Sequence, residues 1–292
     1  KPKLKRIWSL GLVDGFHLVG NTNPDCRCDV CVQAKIRAQP SPTYSKAPPT
    51  TRAIGEHVST DVKSLSYQSF EGFKYVINFV DHHSRLGFCY MMRNKSESAA
   101  CFALYCSELK FYGFRVQHLH SDRGSEYFSQ EGPLMARHED RAFAALDQYC
   151  NAQSPIIKHR LTPVAAKEKL AEVWFLDHFR AADAMLWEAR LSPAFWADAI
   201  LYSQFVYNHL PNDHTGSATP SQLLTGRPSR WDKFRVFGSD CYHLIPNDPI
   251  AKIPGIVKGR KAIFVGFTPN LNGYRVFHPE TRSYATVDNV YF

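Results

Sequence analysis

An aspartate at the end of an apolar run is the first group in this chain with a clear chemical use. Residues 114–119 are largely apolar and lead to Asp122, which is followed at once by Arg123 and Gly124. This pattern predicts a buried strand that ends near Asp122. Ligands bind at the carboxyl ends of strands in open α/β sheets, so this carboxylate is a candidate for chemistry. Because aspartate before glycine is also common in simple turns, the candidate depends on further acids that meet it.

Two further acids lie in segments that can reach the same place. Asp61 is near the end of a strand predicted over residues 58–62, and Glu172 is in a helix predicted over 165–188. Glu172 recurs with Phe175 and Phe179 at helical spacing, so we expect it to face the sheet. Glu168 lies one turn earlier on the same stripe, so the direction of the side chain does not show which of the two glutamates is the candidate acid. An ion pair with a lysine or arginine would also explain a buried glutamate.

Three carboxylates that converge from distant segments predict a metal site. Asp61, Asp122 and Glu172 would repel one another unless divalent cations lie between them. Mg²⁺ or Mn²⁺ would suit these oxygen ligands. Two such ions, about 3.5–4 Å apart, can activate an attacking oxygen and stabilise the leaving oxygen of a phosphoryl transfer. The three acids are therefore predicted to be both metal ligands and catalytic residues.

The remaining pattern predicts an α/β domain followed by a β-rich region. Strands are predicted over 75–80 and 86–92 with a polar turn between them, and helices over 96–112 and 192–210. The aromatic residues of the last helix are interpreted as core. Beyond Pro211, five short strands between 241 and 292 suggest a small basic barrel.

Composition and charge limit the class of protein. The chain has 292 residues, 44% of them hydrophobic and 21% charged, and a formal net charge of +8, as expected for a globular protein. Residues 1–60 carry nine Lys/Arg against four acids, 61–215 carry sixteen against eighteen, and 216–292 carry ten against five. The basic flanks would suit binding of a polyanion, and the acidic centre would suit cations that accompany it. The alternative is that the surplus basic residues only favour solubility.

Hydropathy and cysteine usage predict an intracellular protein. The sequence contains no run of 18 apolar residues and no signal-peptide pattern, so we expect neither a membrane span nor secretion. Eight cysteines in a chain of this length are too few for a disulfide scaffold. Five of them lie in apolar surroundings and are predicted to be reduced core residues: Cys89, Cys101, Cys106, Cys150 and Cys241.

A pair of cysteines near the amino terminus suggests half of a zinc site. Cys28 and Cys31 have the spacing with which two thiolates grip a zinc ion from one tight turn. Two more ligands are needed, and His17 is one candidate. The residues alone leave a zinc site and a plain turn equally open.

Several collinear motifs resemble the integrases of Copia-type LTR retrotransposons (Pseudoviridae). The similarity extends, in order, over nearly the whole chain. The motifs are Thr60-Asp61, Phe79-Val-Asp-His-His-Ser-Arg85, His120-Ser-Asp122-Arg-Gly-Ser-Glu-Tyr127, Ala171-Glu172, Pro193-Ala-Phe-Trp196, Tyr207-Asn-His-Leu-Pro211, Arg235-Val-Phe-Gly238, Ile263-Phe-Val-Gly266 and Gly273-Tyr-Arg-Val-Phe-His-Pro-Glu-Thr281.

The resemblance implies a domain order and a catalytic triad. It implies an RNase H-like core with a mixed five-stranded sheet and flanking helices, in which Asp61, Asp122 and Glu172 match the DDE acids. The spacing from Phe195 and Trp196 to the family's Ala-Glu favours Glu172 over Glu168. The expected domains are a truncated zinc-binding region (1–38), a basic Pro-rich linker (39–52), the catalytic core (53–215) and a basic C-terminal β domain (216–292).

By the same resemblance the chain would insert element cDNA into target DNA. Metal ions would support trimming of the 3′ end, where trimming is needed, and then strand transfer. The implied partners are double-stranded DNA and further copies of the chain, in a cytoplasmic particle and in the nucleus. Cys28 and Cys31 match half of the family's zinc site, whose two histidines would precede Lys1. The interval from Asp122 to Glu172 is longer than usual, with residues 130–141 as the surplus, and Glu168-Lys169 replaces the family's Asn-Gly.

Two other functions fit the same residues. The chain could be a non-catalytic, DNA-binding relic of an integrase, in which the basic flanks persist on an inactive core. It could also be a simple nuclease on the RNase H-like core, which cleaves DNA without joining it.

Overall fold

The structure is a computed structural model that describes residues 51–122, 146–162, 170–229, 231–244, 259–268 and 272–292. The side chains of Asp122 and residues 160–162 lie outside this description, although their backbone is within it. The described elements are four helices and nine strands: β1 (His57–Ser64), β2 (Tyr75–Asp81), β3 (Gly87–Met92), α1 (Ser98–Phe111), β4 (His118–Asp122), β5 (Lys158–Thr162), α2 (Leu170–Glu188), α3 (Trp196–Asn208), α4 (Pro220–Thr225), β6 (Asp240–Leu244), β7 (Gly259–Phe267), β8 (Tyr274–His278) and β9 (Ser283–Val287). Residues 146–151 are also helical.

The first five strands form the expected mixed sheet. Their order is β3-β2-β1-β4-β5, in which the first two pairings are antiparallel and those of β4 with β1 and β5 are parallel. The predicted polar turn joins β2 to β3. Asp81 is fully buried there and accepts hydrogen bonds from the backbone N–H groups of Gly55 and Ser84 and from the Ser84 hydroxyl. A buried carboxylate with three donors holds this end of the sheet together.

Helices cover the two faces of this sheet. On one face, Val58 and Leu119 pack with Phe102 and Tyr105 of α1, which ends before Gly113 at a φ of +83°. A positive φ is the backbone conformation at which glycine ends a helix most readily. Helices α2 and α3 cover the opposite face, and the expected core aromatics of α3, such as Trp196, are buried.

The carboxyl-terminal region is a four-stranded antiparallel sheet rather than a five-stranded barrel. Its order is β6-β7-β8-β9. The expected fifth strand, residues 289–292, contributes a single bridging pair, Tyr291 with Tyr242 of β6. That pair lies on the edge opposite β9, so the segment folds back across the sheet without forming a paired strand. The described residues therefore show a four-stranded sheet with one bridge to the segment after β9, and the predicted barrel is not confirmed.

One hydrophobic cluster extends from the first sheet into the second. Phe277 of β8 and Tyr284 of β9 meet Phe195, which precedes α3, and Phe70 of the β1–β2 loop. Their ring centroids are 4.8 to 6.4 Å apart, which is the contact range of aromatic pairs. The second sheet is thus packed against the first domain through a shared core.

Three other findings concern the remaining predictions. Cys89, Cys101, Cys106, Cys150 and Cys241 are free thiols, four of them buried, as expected for reduced core residues. Burial raises the pKa of the Cys241 thiol to about 11 and that of Cys150 to about 12. Among the described helices, none combines the length and apolar character needed to cross a bilayer.

Candidate active site

Asp61 is a partly buried acid on the central strand β1. One of its carboxylate oxygens accepts a hydrogen bond from the Val62 N–H at 2.8 Å. The other lies 2.8 Å from the ammonium group of Lys63, which is about 40% exposed. Because side chains two residues apart share a face of a strand, this lysine provides a mobile positive charge beside the acid.

Asp122 ends the neighbouring strand, as the sequence predicted. Strands β1 and β4 run parallel, and the last registered pair is Thr60 with Ser121. Asp61 and Asp122 are the next residues of their strands. Adjacent strands are about 4.8 Å apart, so the backbones of the two acids lie side by side. The predicted strand end near Asp61 is wrong, because β1 continues to Ser64, whereas β4 ends at Asp122. The backbone of Asp122 also pairs with that of Thr162 on β5.

Glu172 lies in the first turn of α2, but the expectation that it faces the sheet is wrong. The Glu172 side chain is exposed. The buried face of α2 consists of Ala171, Trp174, Phe175, His178 and Ala182. The helix is rotated by about one residue, or 100°, from the predicted stripe. Apolar residues occur almost all around α2, including the exposed Val173, Leu176 and Trp187, so periodicity did not determine the buried side.

Asn78 connects the first acid to the helix that carries Glu172. Its amide oxygen accepts a hydrogen bond from the Asp61 N–H at 2.9 Å, and its amide N–H₂ donates to the Ala171 carbonyl at 2.9 Å. The side chain is fully buried on β2, directly opposite Asp61. Sequence reasoning missed this residue. The available signal was an amide within the apolar run 75–80, because a buried amide needs specific partners.

Histidines line the same face of the sheet beyond the acids. His57 of β1 and His120 of β4 have ring nitrogens 2.7 Å apart, and His118 stacks on His57 at 4.5 Å between centroids. His82 is buried after β2, where its Nε2 lies 2.6 Å from the Ser59 hydroxyl. Burial, together with repulsion from His120 and Arg85, lowers the pKa of His82 to about 3, so this imidazole is neutral at physiological pH.

The region of Asp61, Asp122 and Glu172, called the acid edge below, has donor groups that fit a divalent cation. Carboxylate oxygens are the ligands that Mg²⁺ and Mn²⁺ prefer, and the Lys63 ammonium already places positive charge against Asp61. Among the described side chains, no three His, Cys, Asp or Glu residues are grouped to hold a metal. The Asp122 side chain is outside the described part of the structure. Cys28 and Cys31 of the predicted zinc half-site lie outside the described residues, so that site stays a prediction.

Similarity to known proteins was found at three levels. A family model described as "Integrase core domain" matches residues 52–159, a range that includes Asp61 and Asp122 and ends before Glu172. The chain is 24% identical over 286 residues to the retrovirus-related Pol polyprotein from transposon RE2 of Arabidopsis thaliana, covering 97% of this chain and 18% of that protein. It is 23% identical over 256 residues to the corresponding polyprotein from transposon TNT 1-94 of Nicotiana tabacum, with coverages of 86% and 18%.

The chain spans less than a fifth of the length of these relatives. Solved structures show weaker similarity. A simian T-cell lymphotropic virus intasome in complex with the PP2A regulatory subunit B56 gamma gives 14% identity and a TM-score of 0.41, with 82% of this chain and 81% of that chain covered. The HTLV-2 integrase catalytic core domain in complex with magnesium gives 17% and 0.40, with 59% and 97% covered. At these TM-scores the likeness carries no argument.

The family match and the relatives agree with the fold described above. The matched range covers the two strands on which Asp61 and Asp122 lie side by side. Residues 52–159 thus match an integrase core domain, and the chain is similar over most of its length to Pol polyproteins of plant transposons.

Proposed function

We propose that this chain is a retrotransposon integrase, a DDE polynucleotidyl transferase that joins element cDNA to target DNA. The observation that carries the proposal is the placement of two acids within an integrase core domain. Asp61 lies within β1 and Asp122 ends the adjacent parallel strand β4, and the Asn78 bridge ties Asp61 to the first turn of the helix that presents Glu172. This arrangement supports a shared site for the three carboxylates.

In this proposal Asp61, Asp122 and Glu172 hold two Mg²⁺ or Mn²⁺ ions through their carboxylate oxygens. Bound there, the ions would lower the pKa of an attacking water or 3′ hydroxyl and stabilise the leaving oxygen. The Glu172 carboxylate is exposed, so in this proposal it binds the metal at the surface of the core and not in a buried pocket. Lys63 would leave Asp61 when a cation takes its place.

The proposed partners follow from charge and from the resemblance to the integrase family. The basic C-terminal region has ten Lys/Arg against five acids over residues 216–292 and would contact the phosphates of double-stranded DNA. We further propose that the protein acts as a homomultimer, that Cys28 and Cys31 form half of a zinc site, and that it works in a cytoplasmic particle and in the nucleus.

A strand-transfer assay tests the catalytic proposal. The full chain is incubated with an oligonucleotide that ends in the element's terminal sequence, a target plasmid and Mg²⁺ or Mn²⁺. Asp61→Asn, Asp122→Asn and Glu172→Gln should each reduce joining by about 1000-fold, because each removes a metal ligand worth several kcal/mol in the transition state. Glu188→Gln, at the other exposed end of α2, is the matched control and should retain activity.

The other outcomes separate the alternatives. Salt-sensitive DNA binding without metal-dependent cleavage or joining would identify a DNA-binding relic. Cleavage without joining would identify a nuclease. An Asp122→Asn variant that joins DNA as well as the wild type would remove Asp122 from the mechanism.

A further inference from the structure

Asn78 is a fully buried amide in the middle of an apolar strand. Its neighbours Ile77 and Phe79 are fully buried in the core on one face of the sheet, and Val76 and Val80 in the core on the other. An apolar side chain would fit this environment without a desolvation cost, whereas a buried amide is costly unless its polar atoms are bonded. A specific requirement for two hydrogen bonds is the physical reason to find asparagine here.

The two bonds determine the orientation of the amide without ambiguity. The Asp61 N–H can only donate, so it meets the amide oxygen, and the Ala171 carbonyl can only accept, so it meets the amide N–H₂. Both distances are 2.9 Å, which is the usual length for N–H···O bonds. One rigid side chain thus joins the backbone of the first acid to the residue that immediately precedes Glu172.

We propose that Asn78 is a positioning residue that sets the separation between Asp61 and Glu172. This inference rests on the proposed function, because it concerns the same metal site. Helix α2 packs on β1 and β2 mainly through apolar contacts. Such contacts are not directional, so they keep the helix on the sheet but only weakly prevent it from sliding along the strands. Directional hydrogen bonds from Asn78 specify the position of the first helical turn along β1, and so the distance over which the two carboxylates share a cation.

A second buried asparagine provides a matched control. Asn208, in the last turn of α3, accepts from the Gly87 N–H at 3.1 Å and donates to the Gly87 carbonyl at 2.8 Å. It therefore also bridges a helix to the sheet through a buried amide. Gly87 belongs to β3, which lies two strands away from β1, so this bridge should affect stability and leave the acids unaffected.

The experiment compares Asn78→Leu with Asn208→Leu in the full chain. Three quantities are measured: the melting temperature, the amide exchange rate of Asp61, and the affinity for Mn²⁺ alone by titration, with Asp61→Asn defining the specific site. Both leucine variants should lower the melting temperature. Only Asn78→Leu should speed exchange at Asp61, since that N–H loses its acceptor, and weaken Mn²⁺ binding by about 10- to 100-fold. At saturating Mn²⁺, the Asn78→Leu variant should also recover part of its DNA-joining activity.

Several results would overturn the inference. They are unchanged Mn²⁺ affinity in Asn78→Leu, equal weakening in both leucine variants, or no Asp61-dependent Mn²⁺ site in the wild type. If Asn78→Leu does not fold, Asn78→Thr suits a strand and is too short to span both partners, so it should give the same selective effect. A wild type that binds Mn²⁺ at Asp61 but joins no DNA would contradict the proposed function. In that case the affinity comparison would still decide the role of Asn78.

Discussion

Two groups of charged residues in the described part of the chain lie in different environments, the domain junction and the acid edge. At the domain junction, defined by Asp198, Arg275, Glu71 and Tyr284, the buried Asp198 accepts from Arg275 Nε at 3.0 Å and from the Tyr284 hydroxyl at 2.6 Å. Arg275 also pairs with Glu71 at 2.6 Å. At the acid edge, Asp61 pairs with the partly exposed Lys63, and Glu172 is exposed.

The difference separates structural charge from charge available to a ligand. Buried ions are tolerated when their partners are built into the fold, and removing one partner is costly. Acids whose partners are mobile can exchange them for a cation. Both regions carry negative charge. At the acid edge, Lys63 can leave Asp61 without leaving a fully buried charge unpaired. At the domain junction, loss of Arg275 would leave the buried Asp198 without its cation.

The largest expected effect is at the domain junction. Arg275→Met would leave the Asp198 carboxylate buried without its cation, so the free energy of unfolding should fall by about 3–5 kcal/mol. Lys261→Met is the control, because Lys261 pairs with Asp240 at 2.6 Å on the exposed surface, and it should lower the free energy of unfolding far less. Urea unfolding measures both. Equal losses would mean that the domain junction is no more critical than a surface contact.

The pH dependence of that variant sharpens the comparison. Burial raises the pKa of Asp198 above 3.8, while bonds from Tyr284 and Arg275 oppose the rise. Without Arg275 the pKa should rise further, which favours the protonated acid in the folded state. The stability of the variant relative to wild type should therefore decrease as the pH rises from about 4 and recover as the pH falls. A difference that does not depend on pH would contradict this account.

An intermediate effect is expected at His82, behind the acid edge. Its pKa is lowered from 6.5 to about 3, so the folded state resists protonation, and stability is lost as the pH falls below 6.5. One such group lowers the free energy of unfolding by about 2 kcal/mol between pH 6.5 and pH 5. His82→Gln should flatten this part of the stability profile, and His83→Gln should not. An unchanged profile in His82→Gln would assign the acid sensitivity to other groups.

The smallest effect is expected at Lys63. Lys63→Met removes the positive charge that competes for Asp61, and an exposed pair of this kind is worth about 0–1 kcal/mol. Mn²⁺ should then bind up to about fivefold more tightly in a titration. Lys74→Met, an exposed lysine of the same sheet region, should leave the affinity unchanged. Weaker binding by Lys63→Met would show that the lysine supports the site instead of competing with the metal.

Local sequence patterns predicted much of the fold and the presence of Asp61 and Asp122 on neighbouring strands. The turn signals at 81–85 and at Asp122 depend on residues close together in the chain, so these strand ends were predictable. The predicted end near Asp61 was wrong, because β1 continues to Ser64 in its pairing with β2. The integrase core was likewise foreseen from short motifs within 52–159. Cys28 and Cys31 are still predictions of the sequence.

Tertiary structure decided the features that depend on contacts between distant segments. The rotation of α2 that exposes Glu172 was settled by packing of Trp174 against Gly87 of β3, since apolar residues on several sides of this helix do not specify which side is buried. The bridge from Asn78 to Ala171 joins residues 93 positions apart, and that from Arg275 to Asp198 joins residues 77 apart. Periodicity describes one segment at a time, whereas these hydrogen bonds exist only after separate segments have packed together.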